Sequence, residues 1–143
     1  MVISTRGRYA LRVMIELAER RDEFVPLKAL ADRQQISRKY LEHILPVLGR
    51  NGLVLSVQGK GGGYKLARKP ADYTVAEILT ATERGFSPVA CLENGADPCP
   101  RAENCKTLPM WREFMSLTHS FFDNITLQDL ILQKEFQKTN LAF

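Results

Sequence analysis

What this sequence has little of narrows its chemistry first. Nowhere in its 143 residues is there a run near the roughly 20 apolar residues that a membrane helix needs, so no spanning segment is expected. Three arginines fall within the first twelve residues without the apolar block of a secretory signal, which points to the cytoplasm. Histidine is reduced to two positions, His43 and His119, and neither a nucleophile motif nor a phosphate cradle accompanies them; no catalytic residue is assigned and an enzyme is not expected. Cysteine occurs three times, an odd number, all within a fifteen-residue window. In a chain read as cytoplasmic this disfavours a disulfide framework and brings metal binding or redox chemistry forward. Repeats and low-complexity tracts are missing too. The length suits one domain, or a small domain with an appendage.

What is present is unevenly distributed. Residues 1–70 hold fourteen Lys/Arg against six Asp/Glu, whereas residues 71–143 hold six against ten, so a net charge of +4 conceals a basic half joined to an acidic one. Such a division suits a front half that meets a polyanion and a back half that does not; the competing reading is a set of scattered, solvated lysines and arginines.

The hydrophobic pattern predicts a mainly α protein with a small β-hairpin. Ser4 and Thr5 can cap a first helix whose apolar stripe is Ala10, Val13, Met14, Leu17 and Ala18. Pro26 is placed to open a second, short helix lined by Leu27, Leu30 and Ala31. Ser37 caps a third helix that buries Leu41, Ile44, Leu45 and Leu48 and stops at Asn51–Gly52, with a kink expected at Pro46. Leu53, Leu55 and Val57 then alternate with Val54, Ser56 and Gln58 as a strand, Gly59–Gly63 forms a flexible turn, and Tyr64–Leu66 returns. Three helices followed by a glycine-tipped hairpin are the layout of a winged helix-turn-helix. The expected organisation is a DNA-binding unit over 1–70, a connecting helix over 71–83, a cysteine loop over 84–106 rich in Gly and Pro (Gly85 and Pro88 among them), and a dimerisation helix with a last short helix over 107–143. The long helix shows Trp111, Phe114, Met115, Phe121, Phe122 and Ile125, and Thr126 with Asp129 reads as the cap of the last one.

A helix that reads duplex DNA places its first residues in the major groove while its partner crosses the backbone. The exposed start of the third helix offers Arg38 and Lys39, which match guanine edges or phosphates, Glu42, which can accept from a cytosine amine, and His43, which can donate to a base edge or a phosphate. The wing with Lys60 suits close approach to the sugar–phosphate backbone, and Arg6, Arg8 and Arg12 add phosphate contacts from the first helix. A glycine turn alone could be only a hairpin tip, and His43 only a solvated helix residue; the order of the elements and the basic half are what favour DNA.

Cys91, Cys99 and Cys105 are separated by seven and five residues, and no close pair of the kind usual in zinc sites occurs. Iron–sulfur clusters tolerate varied spacing on a flexible loop. The residues themselves leave a cluster, zinc and free or redox-active thiols open.

Ser4–Arg12 (STRGRYALR), Ile36–Glu42 (ISRKYLE), Gly52–Val54 and Gly59–Tyr64 (GKGGGY) together resemble one family, the bacterial winged-helix regulators that include the iron–sulfur biogenesis regulator IscR, the nitric-oxide sensor NsrR and the cysteine-metabolism regulator CymR. The resemblance runs through nearly the whole chain. It implies a homodimer built on the long helix, a double-stranded operator read as two related half-sites, and a repressor that responds to cluster status, iron, redox or nitric oxide. It adds Tyr9, Ser37, Tyr40, Gln58, Gly59 and Gly61 to the DNA-contacting set, and matches Glu42 to a glutamate that selects between operator types. The contexts of Cys91, Cys99 and Cys105 look like the IscR-like branch, which implies an iron–sulfur cluster on those three residues, [2Fe–2S] in preference to [4Fe–4S]. Three positions depart from the pattern. Leu108 stands where IscR-like proteins use a histidine, Arg8 where NsrR-like proteins use an acid, and Gln58 where the wing often carries arginine. The fourth ligand is therefore open among Glu93, Asp97, Glu103 and a group from the partner subunit. A cluster-free regulator controlled by a metabolite or a protein partner, as CymR-like proteins are, is the alternative; a zinc-stabilised interaction adaptor is a further rival.

Overall fold

The computed structural model describes residues 2–83 and 86–135; Met1, the sequence-expected loop residue Gly85 with Arg84 before it, and residues 136–143 lie outside it. Ser4 starts α1 (Thr5–Glu19), its hydroxyl accepting from the Gly7 amide at 3.1 Å. All five expected stripe residues of α1 are buried. Pro26 sits one place earlier than a helix-opening proline, in extended geometry at the N-cap of α2 (Leu27–Gln34), and its carbonyl accepts from Leu30. Gln35 takes the left-handed conformation (φ 52°) that turns the chain into α3 (Arg38–Arg50), capped by the Ser37 hydroxyl on the Tyr40 amide. Leu41, Ile44, Leu45 and Leu48 are buried, each removal from water being worth about 1.5–3 kcal/mol. The helix remains continuous through Pro46, which lies on the exposed side with Glu42, where the carbonyl that lacks an amide partner can meet water.

β1 (Val54–Val57) and β2 (Gly63–Leu66) form the antiparallel wing, pairing from Val54 with Leu66 to Val57 with Gly63. The alternation along β1 differs from the sequence expectation. Val54 is buried beside Leu53, whereas Leu55 and Val57 stand 51% and 48% exposed. A two-stranded ribbon has one base, and past Val54 no layer covers either side. A third segment not foreseen anchors β2: Val25 and Tyr64 exchange backbone hydrogen bonds of 2.8 and 2.9 Å.

After a 3-10 turn at Pro70–Asp72, α4 (Val75–Thr82) is capped by Thr74, and α5 (Leu108–Asp123) packs on it. α6 (Leu127–Ile131) opens with a complete Thr126–Asp129 capping box and returns to pack against α1, with Leu127 fully buried in the core built by α1–α3. The return is stitched by backbone bonds from Val75 to Ile125 and from Leu127 to Tyr73.

Tyr73 is a buried keystone. Its hydroxyl donates to the Leu53 carbonyl at 2.7 Å and accepts from the Arg68 amide at 2.8 Å, tying the wing's two outer ends to the start of α4. Phenylalanine there fills the ring's space but orphans both backbone groups. Tyr73→Phe is expected to lower unfolding stability by about 1–3 kcal/mol in chemical denaturation, with little change in far-ultraviolet circular dichroism. An unchanged midpoint would show that water replaces the hydroxyl.

Candidate nucleic-acid interface and cysteine loop

The first residues of α3 are presented as the sequence predicts. Ser37, Arg38, Lys39, Glu42 and His43 are all exposed, and Leu41, Ile44 and Leu45 hold the opposite face in the core. Spacing along one helix therefore settles which side chains face outward. Tyr40 is half-buried and meets Tyr9 of α1 edge-on, ring centroids 5.3 Å apart, so these two act as a joint between helices as much as a surface. Arg8 is exposed and donates to the Thr5 hydroxyl at 3.2 Å, while Arg6 is half-buried on the same first turn.

Arg12 behaves differently from the phosphate contact expected of it. Its guanidinium lies 5.2 Å from the Tyr9 ring centroid and donates to both the side chain and the backbone carbonyl of Gln34, at the helix-turn-helix corner. Gln34 in turn donates to Glu16 at 2.8 Å, and Glu16 also takes Arg20 and Arg33. This nearly buried carboxylate thus locks α1 to α2 behind the reading helix. No periodicity in the sequence signals it, since Glu16 falls on the apolar side of α1.

The wing tip carries Gln58, Gly59, Lys60 and Gly61, all exposed. Gly59 and Gly61 have φ of +89° and +76°, a region costly for any residue with a Cβ, which explains the glycines at the turn itself. Among the described residues, Arg6, Arg8, Arg12, Arg38, Lys39 and Lys60 have no carboxylate partner, whereas Arg20, Arg33 and Arg68 are ion-paired away from this surface.

The cysteine segment is less featureless than a loop. Short 3-10 turns at Ala90–Leu92 and Ala102–Asn104 place Cys91 inside the first and Cys105 at the end of the second. Its start is held to α5 by Phe86, which packs edge-on against His119 at 4.7 Å and whose carbonyl contacts the imidazole Nε2 at 3.2 Å. All three thiols are free, Cys91 exposed and the others half-exposed. The Thr107 hydroxyl, 3.4 Å from the Cys105 sulfur, and the Thr107 amide hold that thiol below its ordinary range, favouring thiolate. Among the described residues no three His, Cys, Asp or Glu side chains converge as a metal-binding group, and Glu93, Asp97 and Glu103 all point to solvent. Leu108 is buried as part of the first turn of α5, so the departure from histidine there serves packing. Among the described residues no helix is long and apolar enough to cross a membrane.

Comparison with known proteins agrees with this architecture. The regulator IscR of Aliivibrio salmonicida is 36% identical over 141 residues, 98% of this chain and 83% of its own length. That of Yersinia enterocolitica is 36% identical over 132 residues, 92% of this chain and 79% of its own. Among solved structures, CymR, the global cysteine regulator of B. subtilis, superposes with a TM-score of 0.74 at 34% identity, covering 94% of this chain and 99% of that one. T. potens IscR does so with 0.73 at 31%, covering 100% and 97%. The family model Rrf2, described as an iron-dependent transcriptional regulator, matches residues 3–133. A winged helix-turn-helix with a cation-lined reading face, matched across almost its whole length, thus makes this chain a DNA-binding transcriptional regulator of the Rrf2 family.

Proposed function

We propose that this regulator represses transcription as a cytoplasmic homodimer on a two-half-site operator, and that an iron–sulfur cluster on Cys91, Cys99 and Cys105, of [2Fe–2S] type, sets its affinity. The observation that carries the DNA reading is that the α3 start and the wing tip, with Arg6 and Arg8 on the first turn of α1, present cations without carboxylate partners on one helix-turn-helix and wing, whereas Arg20, Arg33 and Arg68 are held in ion pairs. In this reading Arg38, Lys39, Glu42 and His43 enter the major groove, and Lys60, Arg6 and Arg8 take phosphates, with Tyr9, Ser37, Tyr40, Gln58, Gly59 and Gly61 along the same contact.

The thiols fit a sulfur-ligated iron centre in donor chemistry: three of them, none in a disulfide, on a segment of short turns, with Cys105 biased toward thiolate. A bound cluster supplies iron that changes redox state and is open to oxidants or nitric oxide. What the chain contributes is position. Cys105 lies three residues before α5, and Phe86 ties the other end of the segment to the same helix, so ordering of the loop bears on how α5 is set. Two reading helices must stand about 34 Å apart to enter successive major grooves, and a small rotation at the dimer helix shifts that spacing.

One observation favours a second reading. Among the solved structures the likeness to CymR is as strong as that to IscR, and the described thiols do not converge, which suits a cluster-free regulator governed by a metabolite or a partner protein. Anaerobic purification separates the two. Visible absorption with bound iron, lost in the Cys→Ser variants, supports the cluster; a colourless, iron-free dimer that still binds operator supports the alternative. Operator affinity is expected to differ between loaded and iron-stripped protein at matched salt, and equal values would defeat gating. Arg38→Ala is expected to weaken operator binding by about 1–3 kcal/mol if it reads a base. No salt-sensitive attraction to DNA of any sequence would overturn the whole proposal.

A further inference from the structure

The residue that ends α4 is bonded across the molecule to the first turn of α1. The Glu83 carboxylate accepts from the Ser4 amide at 3.1 Å and from the Ser4 hydroxyl at 2.7 Å, and the same hydroxyl accepts from the Gly7 amide at 3.1 Å. The approach is close: a Cβ on Gly7 would lie 2.1 Å from Glu83 Oε1, so the carboxylate keeps this position only beside a glycine.

Electrostatics give this contact a direction. A helix N-terminus favours negative charge, yet the first turn of α1 has no acidic residue and carries Arg6 and Arg8. At the C-terminal end of α4 a carboxylate opposes that helix's own dipole, so Glu83 gains nothing from its own helix. Both of its hydrogen-bond donors belong to Ser4, the N-cap of α1. Glu83 also occupies the last position before the segment that leads to Cys91. A single side chain therefore joins the stem of the cysteine loop to the turn that holds two of the unpaired arginines.

We infer that Glu83 is a positioning residue for DNA binding, supplying from the end of α4 the acidic cap of α1 and so fixing Arg6 and Arg8 for phosphate contact. This rests on the proposed phosphate role of the α1 N-terminus but is independent of any cluster. Released from Glu83, the first turn of α1 loses two of its anchoring bonds and frays, and its arginines neutralise phosphates less fully. A general loss of fold lowers the active fraction at every salt concentration alike. Loss of phosphate contacts instead flattens the dependence of log K on log salt, by about 0.9 per contact.

The test uses full-length protein with Cys91, Cys99 and Cys105 all changed to Ser, so that cluster loading plays no part, and compares Glu83→Ala, Glu83→Gln and Ser4→Ala with that parent. Glu83→Ala is expected to weaken operator binding about tenfold at low salt and to reduce the salt slope by one to two units. Glu83→Gln, which still accepts hydrogen bonds, should recover part of both. Ser4→Ala should move slope and affinity in the same direction as Glu83→Ala, and serves if that variant folds poorly. Hydrogen exchange at the Gly7 amide should speed up in both alanine variants. An unchanged slope in both alanine variants, or equal loss of affinity at all salt concentrations, would overturn the inference. A parent that shows normal salt-dependent binding while Arg6→Ala and Arg8→Ala leave its slope untouched would instead defeat the phosphate role itself.

Discussion

Glutamate at both Phe114 and Leu117 is expected to turn the protein into a monomer and to lower operator affinity by at least about a hundredfold. The grounds lie in α5. Met110, Phe114, Leu117 and Phe121 are 54%, 44%, 46% and 46% exposed, and their spacing of four, three and four residues lays them along one stripe of the helix. That is the seam spacing of helices paired side by side. The other side of α5 packs on α4, with Phe122 against Phe86 at 5.6 Å, so the exposed stripe is not needed for the fold of a single chain. A monomer reads one half-site only and forgoes the effective concentration that linked sites provide, a factor of about 10²–10⁴. Sedimentation should report the monomer mass and circular dichroism an intact fold. A dimer that persists with both charges in place would rule out α5 as the shared surface.

The elements that the sequence disclosed are those whose own residues determine them. The stripes of α1 and α3 follow from a period of 3.6, and the caps at Ser4, Ser37, Thr74 and Thr126 are short-range hydrogen bonds between neighbours in sequence. The reading face at Arg38, Lys39, Glu42 and His43 was legible for the same reason: once the buried side of α3 is known, its outer side is too. What stayed hidden depends on distant partners. Nothing near Arg12 announces Gln34, nothing near Glu83 announces Ser4, and Tyr73 looks like any core aromatic until its hydroxyl is seen between Leu53 and Arg68. The exposure of Leu55 and Val57 eluded the pattern because alternation says that two faces differ, not that a layer exists to cover one of them.

The same distinction applies to charge. The excess of Lys/Arg in residues 1–70 was visible from composition, but composition does not say which cations are free. Glu16 consumes Arg20 and Arg33, and Glu77 takes Arg68, so the basic half is smaller in effect than in count. Among the cations left without a carboxylate partner are Arg6, Arg8, Arg38, Lys39 and Lys60, which the helix-turn-helix and wing carry. Unpaired cations on the reading helix and wing are the property a polyanion-reading surface needs.

Gly63→Ala is expected to damage the wing severely, lowering stability by about 3–5 kcal/mol and the melting temperature by roughly 10–20 °C. A Cβ there would stand 2.3 Å from the Val25 carbonyl oxygen and 2.4 Å from its carbon, at a φ of +149° that a side chain rarely adopts. Both obstacles are backbone, so no rotamer change relieves them. Relief requires β2 to withdraw from Val25, which breaks the two hydrogen bonds with Tyr64 and draws Val25, only 2% exposed, from the core. Gly61→Ala provides the internal comparison. Its φ of +76° is also unfavourable, but the space around it is open, so about 1 kcal/mol is the expected cost. The two variants differ in consequence by a backbone clash and two hydrogen bonds, though each adds one carbon. Similar melting temperatures for both would mean that the wing is not held by the Val25 bridge, and that its orientation toward the groove is set at the Tyr73 end alone.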